Sequence, residues 1–211
     1  MIKRIINELT RHAPFTAIGS GFGIALMVIL VTTHASQALS AAFFHTLHPL
    51  HVILSAVVTT SMYRLHGSKR IIMALVIGYT GSIGIATLSD TIIPFLGSNM
   101  LGVPMELHLP FIETEPMPGL GIPTWVAINL AAVIGIFIGY FRPATRFPHF
   151  GHVLLSTWAS LFAFTAFTTA DWINRLPLLF VFLFLAVWLP CCVSDIIYPM
   201  VWGEAADTHH H

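Results

Sequence analysis

The chain has 211 residues, of which 56% are hydrophobic and only 9% are charged, with nine basic and nine acidic side chains. Soluble domains usually contain about 25% charged residues, so this composition argues against a soluble protein. The basic residues are few and scattered, which argues against a nucleic-acid partner. We therefore expect a polytopic helical membrane protein whose main partner is the lipid bilayer.

Six apolar segments predict six membrane helices. They cover residues 15–33, 49–64, 71–95, 124–141, 151–170 and 176–201. A short basic amphipathic segment, residues 1–11, precedes them and is expected to stay at the membrane interface, since no cleavage site follows the first apolar segment. Pro49 suits the first turn of the second helix, and Pro190 is expected to kink the last helix.

Basic side chains indicate how these helices are oriented. All but Arg175, which follows the fifth helix on the opposite side, lie before the first helix and in the loops after the second and fourth helices, which places those segments in the cytoplasm. These residues are Lys3, Arg4, Arg11, Arg64, Lys69, Arg70, Arg142 and Arg146. The prediction is a multi-pass protein of the cell (inner) membrane with both termini in the cytoplasm.

One pair of polar motifs occurs twice along the chain. HxxHVxLS covers residues 48–55 and 149–156, and SDxIxP covers residues 89–94 and 194–199. Each half contains three predicted helices, so the second half has the opposite orientation in the membrane. The predicted fold is therefore all-α, with two inverted three-helix repeats. Their bounds are 1–95 and 124–211, the latter ending in a short tail, and an extracytoplasmic linker covers 96–123.

The two motifs supply the residue types of a metal site. Histidines three apart share one face of a helix, and two imidazoles with a carboxylate suit zinc, iron(II) or manganese. The candidate ligands are His48, His51 and Asp90 in the first half, and His149, His152 and Asp195 in the second. Ser89 and Ser194 are expected to support the aspartates and to line a polar path with them. His34 and His45 are further candidate ligands.

The predicted helix ends determine where these groups would lie. With the second helix beginning at Pro49, the first His–His–Asp set lies near the outer face of the membrane. The inverted second set then lies near the cytoplasmic face. The sequence therefore predicts two separate clusters on opposite sides of the bilayer.

An inverted repeat with intramembrane histidines and aspartates favours a permease for a divalent transition metal ion or a proton-coupled small solute. A transporter is favoured over an enzyme. Three alternatives stay open: a b-type cytochrome with bis-histidine haem, a membrane metalloenzyme, and a structural subunit of a larger complex. The haem would need His34 opposite His48 or His51, or His66 opposite His149 or His152.

Two further patterns concern packing and redox chemistry. Gly78, Gly81 and Gly84, with Gly135 and Gly139, predict close helix contacts, either with each other or across a homo-oligomer. Cys191 and Cys192 are adjacent, and neighbouring helical residues point in different directions. We therefore expect no redox pair and assign neither cysteine a function.

Overall fold

Within the residues described by the structure, a computed structural model, six α-helices have defined bounds. They are α1 (Gln37–His66), α2 (Ile71–Thr87), α3 (Ile93–Met100), α4 (Thr124–Phe141), α5 (Arg146–Phe167) and α6 (Leu176–Cys192). A π-helical turn, Leu88–Ile92, joins α2 to α3. The all-α class predicted from the sequence is confirmed.

The described residues are 6, 10, 13–14, 17–19, 21–23, 25–26, 28–29, 32–33, 37–66, 70–144, 146–168, 176–193, 197–199 and 201–202. Within them, the side chains of residues 66, 146–150, 176, 179–180, 183 and 192 are not described.

Among the described residues, three helical segments are long and apolar enough to cross a membrane. They are Gln37–Leu65, Ile71–Met100 and Thr124–Phe141, and a shorter apolar helix covers Gly151–Phe167. The described residues between 13 and 32 are helical too, and Gly19 and Gly23 of this stretch face Leu154 and Leu161 of α5. The apolar character expected from the composition is thus carried by helices of the required length.

α1 is 30 residues long, and the prediction that this helix begins at Pro49 is wrong. Proline in a helix interior removes one backbone hydrogen bond and costs about 3 kcal/mol. Phe44 and Val52 on either side of it are completely buried, and burial of such side chains contributes about 1.5–3 kcal/mol each. Packing therefore carries the helix through Pro49. His51 lies near the middle of α1, about 20 Å from either end.

α2, the π-helical turn and α3 form one continuous segment that runs to Met100, not to residue 95 as predicted. In the turn, the amide of Ile93 donates to the carbonyl of Leu88, five residues earlier. Pro94 follows and has no amide hydrogen. The carbonyl of Ser89 therefore loses the donors that positions 93 and 94 would supply in a regular helix. The SDxIxP motif thus opens the helix beside its own aspartate.

At the second copy of that motif, the described residues on either side of the Ser-Asp pair, 193 and 197, also have π-helical backbone. The intervening residues, Ser194 and Asp195 among them, lie outside the described part of the chain. Because π turns are rare and frequently mark functional positions, their occurrence at matching places indicates that the repeat extends to backbone geometry.

α1 and α5, which carry the two HxxHVxLS copies, pack side by side in opposite directions. The rings of Phe43 and Phe162 stack with centroids 4.8 Å apart. Near the other end of α1, the amide of Ala144, just before α5, donates to Ser61 Oγ at 3.1 Å. Residue numbers rise along one helix as they fall along the other. The two motif copies therefore cross near the middle of α1.

Glycines bring α4 against α1. A Cβ added at Gly135 would lie 2.4 Å from the carbonyl oxygen of Ile53, and one at Gly139 would lie 2.5 Å from that of Val57. A Cβ at Gly78 of α2 would reach within 2.3 Å of Thr60, also on α1. Gly78 of α2 and both glycines of α4 therefore pack on α1, which the sequence did not identify as their common neighbour.

We expect Gly135→Ala to destabilise the protein by about 1–3 kcal/mol, because the new methyl group meets backbone atoms that cannot move aside. Gly84→Ala is the matched control, since a Cβ there has no neighbour within 4 Å. The control should be neutral or stabilising by up to about 1 kcal/mol. Thermal unfolding of both variants in detergent measures the difference, and equal melting temperatures would contradict the packing.

The linker after α3, residues 101–123, lies against the end of α5. Met105 forms an isolated bridge with Thr168, and the ring of His108 stacks on Phe167 with centroids 3.8 Å apart. His108 Nδ1 lies 3.2 Å from the carboxylate of Glu113, and this hydrogen bond raises the pKa of His108. The linker is therefore held by specific contacts on the side where α3 ends.

Candidate functional site

A buried carboxylate with two imidazoles lies at the centre of the molecule. His48 Nδ1 and His51 Nδ1 are 2.8 Å and 2.6 Å from the same oxygen, Oδ2 of Asp90. An ionised carboxylate only accepts hydrogen bonds, so both Nδ1 atoms donate to it. The lone pair of each ring is then left on Nε2. The spacing of three residues on α1 thus brings both rings to one carboxylate.

The other oxygen of Asp90 is held by hydroxyl groups. Ser89 Oγ donates to Oδ1 at 2.8 Å, and Ser156 Oγ from α5 donates at 3.0 Å. Ser160 Oγ lies 3.0 Å from the carbonyl of Ser89, the group that the π-helical turn leaves without helical donors, and 2.8 Å from the carbonyl of Ser156, so these two carbonyls share its one proton. Asp90 is therefore surrounded by donors, and α5 completes the environment that the turn creates.

His152 lies against this cluster, so the prediction that this histidine lies far from His51, at the opposite face of the membrane, is wrong. Its ring stacks on that of His51 with centroids 4.5 Å apart. Asp90, His51 and His152 are all completely buried. The correction follows from the length of α1. Because α1 begins at Gln37, its motif lies at mid-helix, where the antiparallel α5 crosses it.

Cys191 of α6 adds a thiol to the two stacked histidines. Its Sγ and one ring nitrogen from each of His51 and His152 all lie within 4.8 Å of one another. His48, His51 and Asp90 meet the same distance criterion. Two overlapping groups of metal-ligating atoms therefore share His51.

The sequence interpretation missed Cys191 and Ser160, although both carry a signal. Cys191 lies four residues before Asp195, a spacing that places both on one helical face. Ser160 lies four residues after Ser156, as Thr59 lies four after Ser55. A search for polar or metal-ligating side chains four residues away from a motif residue would have found both Cys191 and Ser160.

The remaining candidate residues fall outside this cluster or outside the described part. His34, Ser194 and Asp195 are not described, and of His149 only the backbone, in α5, is described. His45 is half-buried on α1, edge-on to Phe44, and is in neither group of ligating atoms found among the described residues. Both histidine pairings for haem involve His34 or the side chain of His66, so the described residues do not test them.

Hydroxyl-bearing side chains extend from the histidines along one face of α1. Ser55, Thr59 and Tyr63 follow His51 at intervals of four and are completely buried. Among the described residues, Ser55 Oγ, Tyr63 Oη and His51 Nε2 have no hydrogen-bond partner. These four positions are called the polar stripe below. It runs about 18 Å along the helix, towards the end at His66.

Comparison of the chain with known protein families, with curated proteins and with solved structures finds no match. The geometry of the buried cluster therefore carries the functional argument by itself.

Proposed function

We propose that the chain is an integral membrane permease that moves a divalent transition metal ion through one central site. The observation that carries this proposal is the complete burial of His51, Asp90 and His152 in one cluster beside the middle of α1, a helix long enough to cross a membrane. A carboxylate at such a depth costs about 2.5–3.5 kcal/mol on insertion scales, and ionisable groups there usually line ion pathways. Asp90 carries this cost, and two buried imidazoles lie beside it.

The proposed membrane arrangement has six spans in two inverted three-helix halves, in the cell membrane, with both termini in the cytoplasm. The antiparallel packing of α1 and α5 supports it, because an in-plane two-fold axis relates the second helix of one half to that of the other in opposite directions. His51 and His152 occupy the same motif position and touch each other. The axis would therefore pass between them, at the site.

The hydrogen bonds to Asp90 suit the site to a cation. Each Nδ1–H group is held by the carboxylate, so Nε2 of His48 and of His51 keeps the lone pair that binds metals. In this arrangement Asp90 supplies charge and orientation rather than a direct bond to the ion. Neutral imidazoles are good ligands for zinc and for other first-row transition metals.

The polar stripe supplies a path on one side of that site. A buried hydroxyl without a partner costs about 1–3 kcal/mol, so Ser55 and Tyr63 are poorly explained as packing residues. Water or a passing ion would satisfy both. The stripe leads to the end of α1 where the loop with Lys69 and Arg70 begins, the predicted cytoplasmic side.

Uptake into proteoliposomes tests the proposal. We expect the wild-type protein to carry Zn²⁺ to a trapped fluorescent chelator with saturable kinetics, well above protein-free vesicles. Tyr63→Phe removes the buried hydroxyl of the stripe and should slow uptake. Tyr79→Phe removes a hydroxyl from an exposed ring and should not. No uptake of Zn²⁺, Fe²⁺ or Mn²⁺ in either direction of a proton gradient would overturn the proposal.

A further inference from the structure

The thiol of Cys191 lies beside the two imidazoles at the centre of the proposed path, and the sequence interpretation gave it no role. We infer that Cys191 binds the transported ion together with His51 and His152, and that the site therefore prefers thiophilic ions such as Zn²⁺ to hard ions such as Mn²⁺. This inference rests on the proposed permease function and deepens it by naming the class of ion.

The distances agree with a site close to its bound geometry. Zinc binds histidine nitrogen at about 2.0–2.1 Å and cysteine sulfur at about 2.3 Å, which separates tetrahedral ligands by about 3.4–3.8 Å. The three ligating atoms of His51, His152 and Cys191 lie within 4.8 Å of one another. Contraction by about one ångström, within the reach of side-chain rotation, would close them around an ion.

A second observation points to the same place. Nδ1 of His51 is already bonded to Asp90, and its Nε2 is completely buried with no hydrogen-bond partner among the described residues. A buried ring nitrogen with a free lone pair is costly unless something binds it. A metal ion would satisfy it, with the carboxylate–histidine–metal arrangement that is usual around zinc.

The donor set of two nitrogens and one sulfur determines selectivity. Soft thiolate favours zinc, cadmium and copper(I), whereas manganese and magnesium prefer oxygen ligands. Three protein ligands leave one tetrahedral position open, as in zinc sites that exchange ligands. An open position lets an ion enter and leave, which a transport site requires.

The thiol also makes the site different from the repeat around it. Cys191 lies four residues before Asp195, whereas Ala86 lies four residues before Asp90. Only one half of the chain therefore supplies sulfur. A site between the halves needs only one such ligand, so the repeat and the single thiol are compatible.

Cobalt(II) is the probe for this inference, because thiolate ligands give cobalt a charge-transfer band in the near ultraviolet that imidazoles do not. Cys192→Ser leaves Cys191 as the only cysteine of the chain. We expect the Co²⁺-loaded variant to keep the band at full intensity. Cys191→Ser should lose the band and should lower the ratio of Zn²⁺ to Mn²⁺ uptake.

The possible results distinguish the role of Cys191 from the permease function on which it rests. Zinc uptake without a charge-transfer band in Cys192→Ser would overturn the role of Cys191 and leave the permease standing. Absence of both cobalt binding and uptake would overturn the permease itself. The Cys192→Ser spectrum decides the matter even where Cys191→Ser fails to fold, since it keeps the proposed ligands intact.

Discussion

Asp90→Asn is expected to weaken metal binding by about 10–100-fold and to abolish uptake in proteoliposomes. The carboxylate accepts hydrogen bonds on both oxygens, from His48 and His51 on one and from Ser89 and Ser156 on the other. An amide replaces one acceptor by an NH₂ donor. Where the NH₂ group faces the histidines, an imidazole turns away or moves its proton to Nε2, which removes a metal-binding lone pair, and in either orientation of the amide the negative charge beside the ion is lost.

Glu115→Gln is the matched control for Asp90→Asn. It makes the same chemical change on an exposed residue of the linker and should leave both binding and uptake unchanged. Circular dichroism and size-exclusion chromatography of the two variants verify that each is folded. Wild-type uptake by a folded Asp90→Asn protein would show that the carboxylate has no part in transport.

The second large effect is expected at His51, because this residue belongs to both groups of ligating atoms. His51→Ala should eliminate metal binding and uptake together. His45→Ala, on the same helix, is the control, since His45 lies in neither group among the described residues. Isothermal titration with Zn²⁺ measures zinc binding by both variants. If the two variants bind zinc equally well, the assignment of His51 is wrong.

The sequence predicted the helices best where turn signals and apolar runs coincide. α4 begins at Thr124 and ends at Phe141 as expected, because Pro123 precedes it and Arg142 and Pro143 follow. α1 was predicted to begin 12 residues too late, because Pro49 was taken for a helix start. A proline marks a helix start only where packing does not carry the helix through it, and packing is not visible in one sequence.

The sequence predicted some of the residues that form the site, but it did not predict how they are arranged in space. The motifs placed His48, His51 and Asp90 in one predicted metal site, since spacing on a helix is a local property. The contact between His51 and His152 depends on where α5 crosses α1, which is a tertiary property. Because the predicted start of α1 was wrong, the first motif was placed at the end of the helix instead of its middle. The prediction therefore assigned His51 and His152 to two separate clusters.

The π-helical turn was unpredicted for a related reason. Pro94 indicated only a weak point in the helix, and no local rule distinguishes a kink from a π turn there. In the turn, the carbonyl of Ser89 lies within hydrogen-bond distance of Ser160 on another helix. Ser160 is 71 residues away in sequence, so this contact could not be predicted from the motif alone.

The number of metal ions bound per chain tests the central claim most directly. A site between His51 and His152 is shared by the two halves, so purified protein saturated with Zn²⁺ should contain one ion per chain by elemental analysis. His51→Ala and His152→Ala should each reduce this to none. Two ions per chain, with one lost in each variant, would contradict the account and restore two independent clusters.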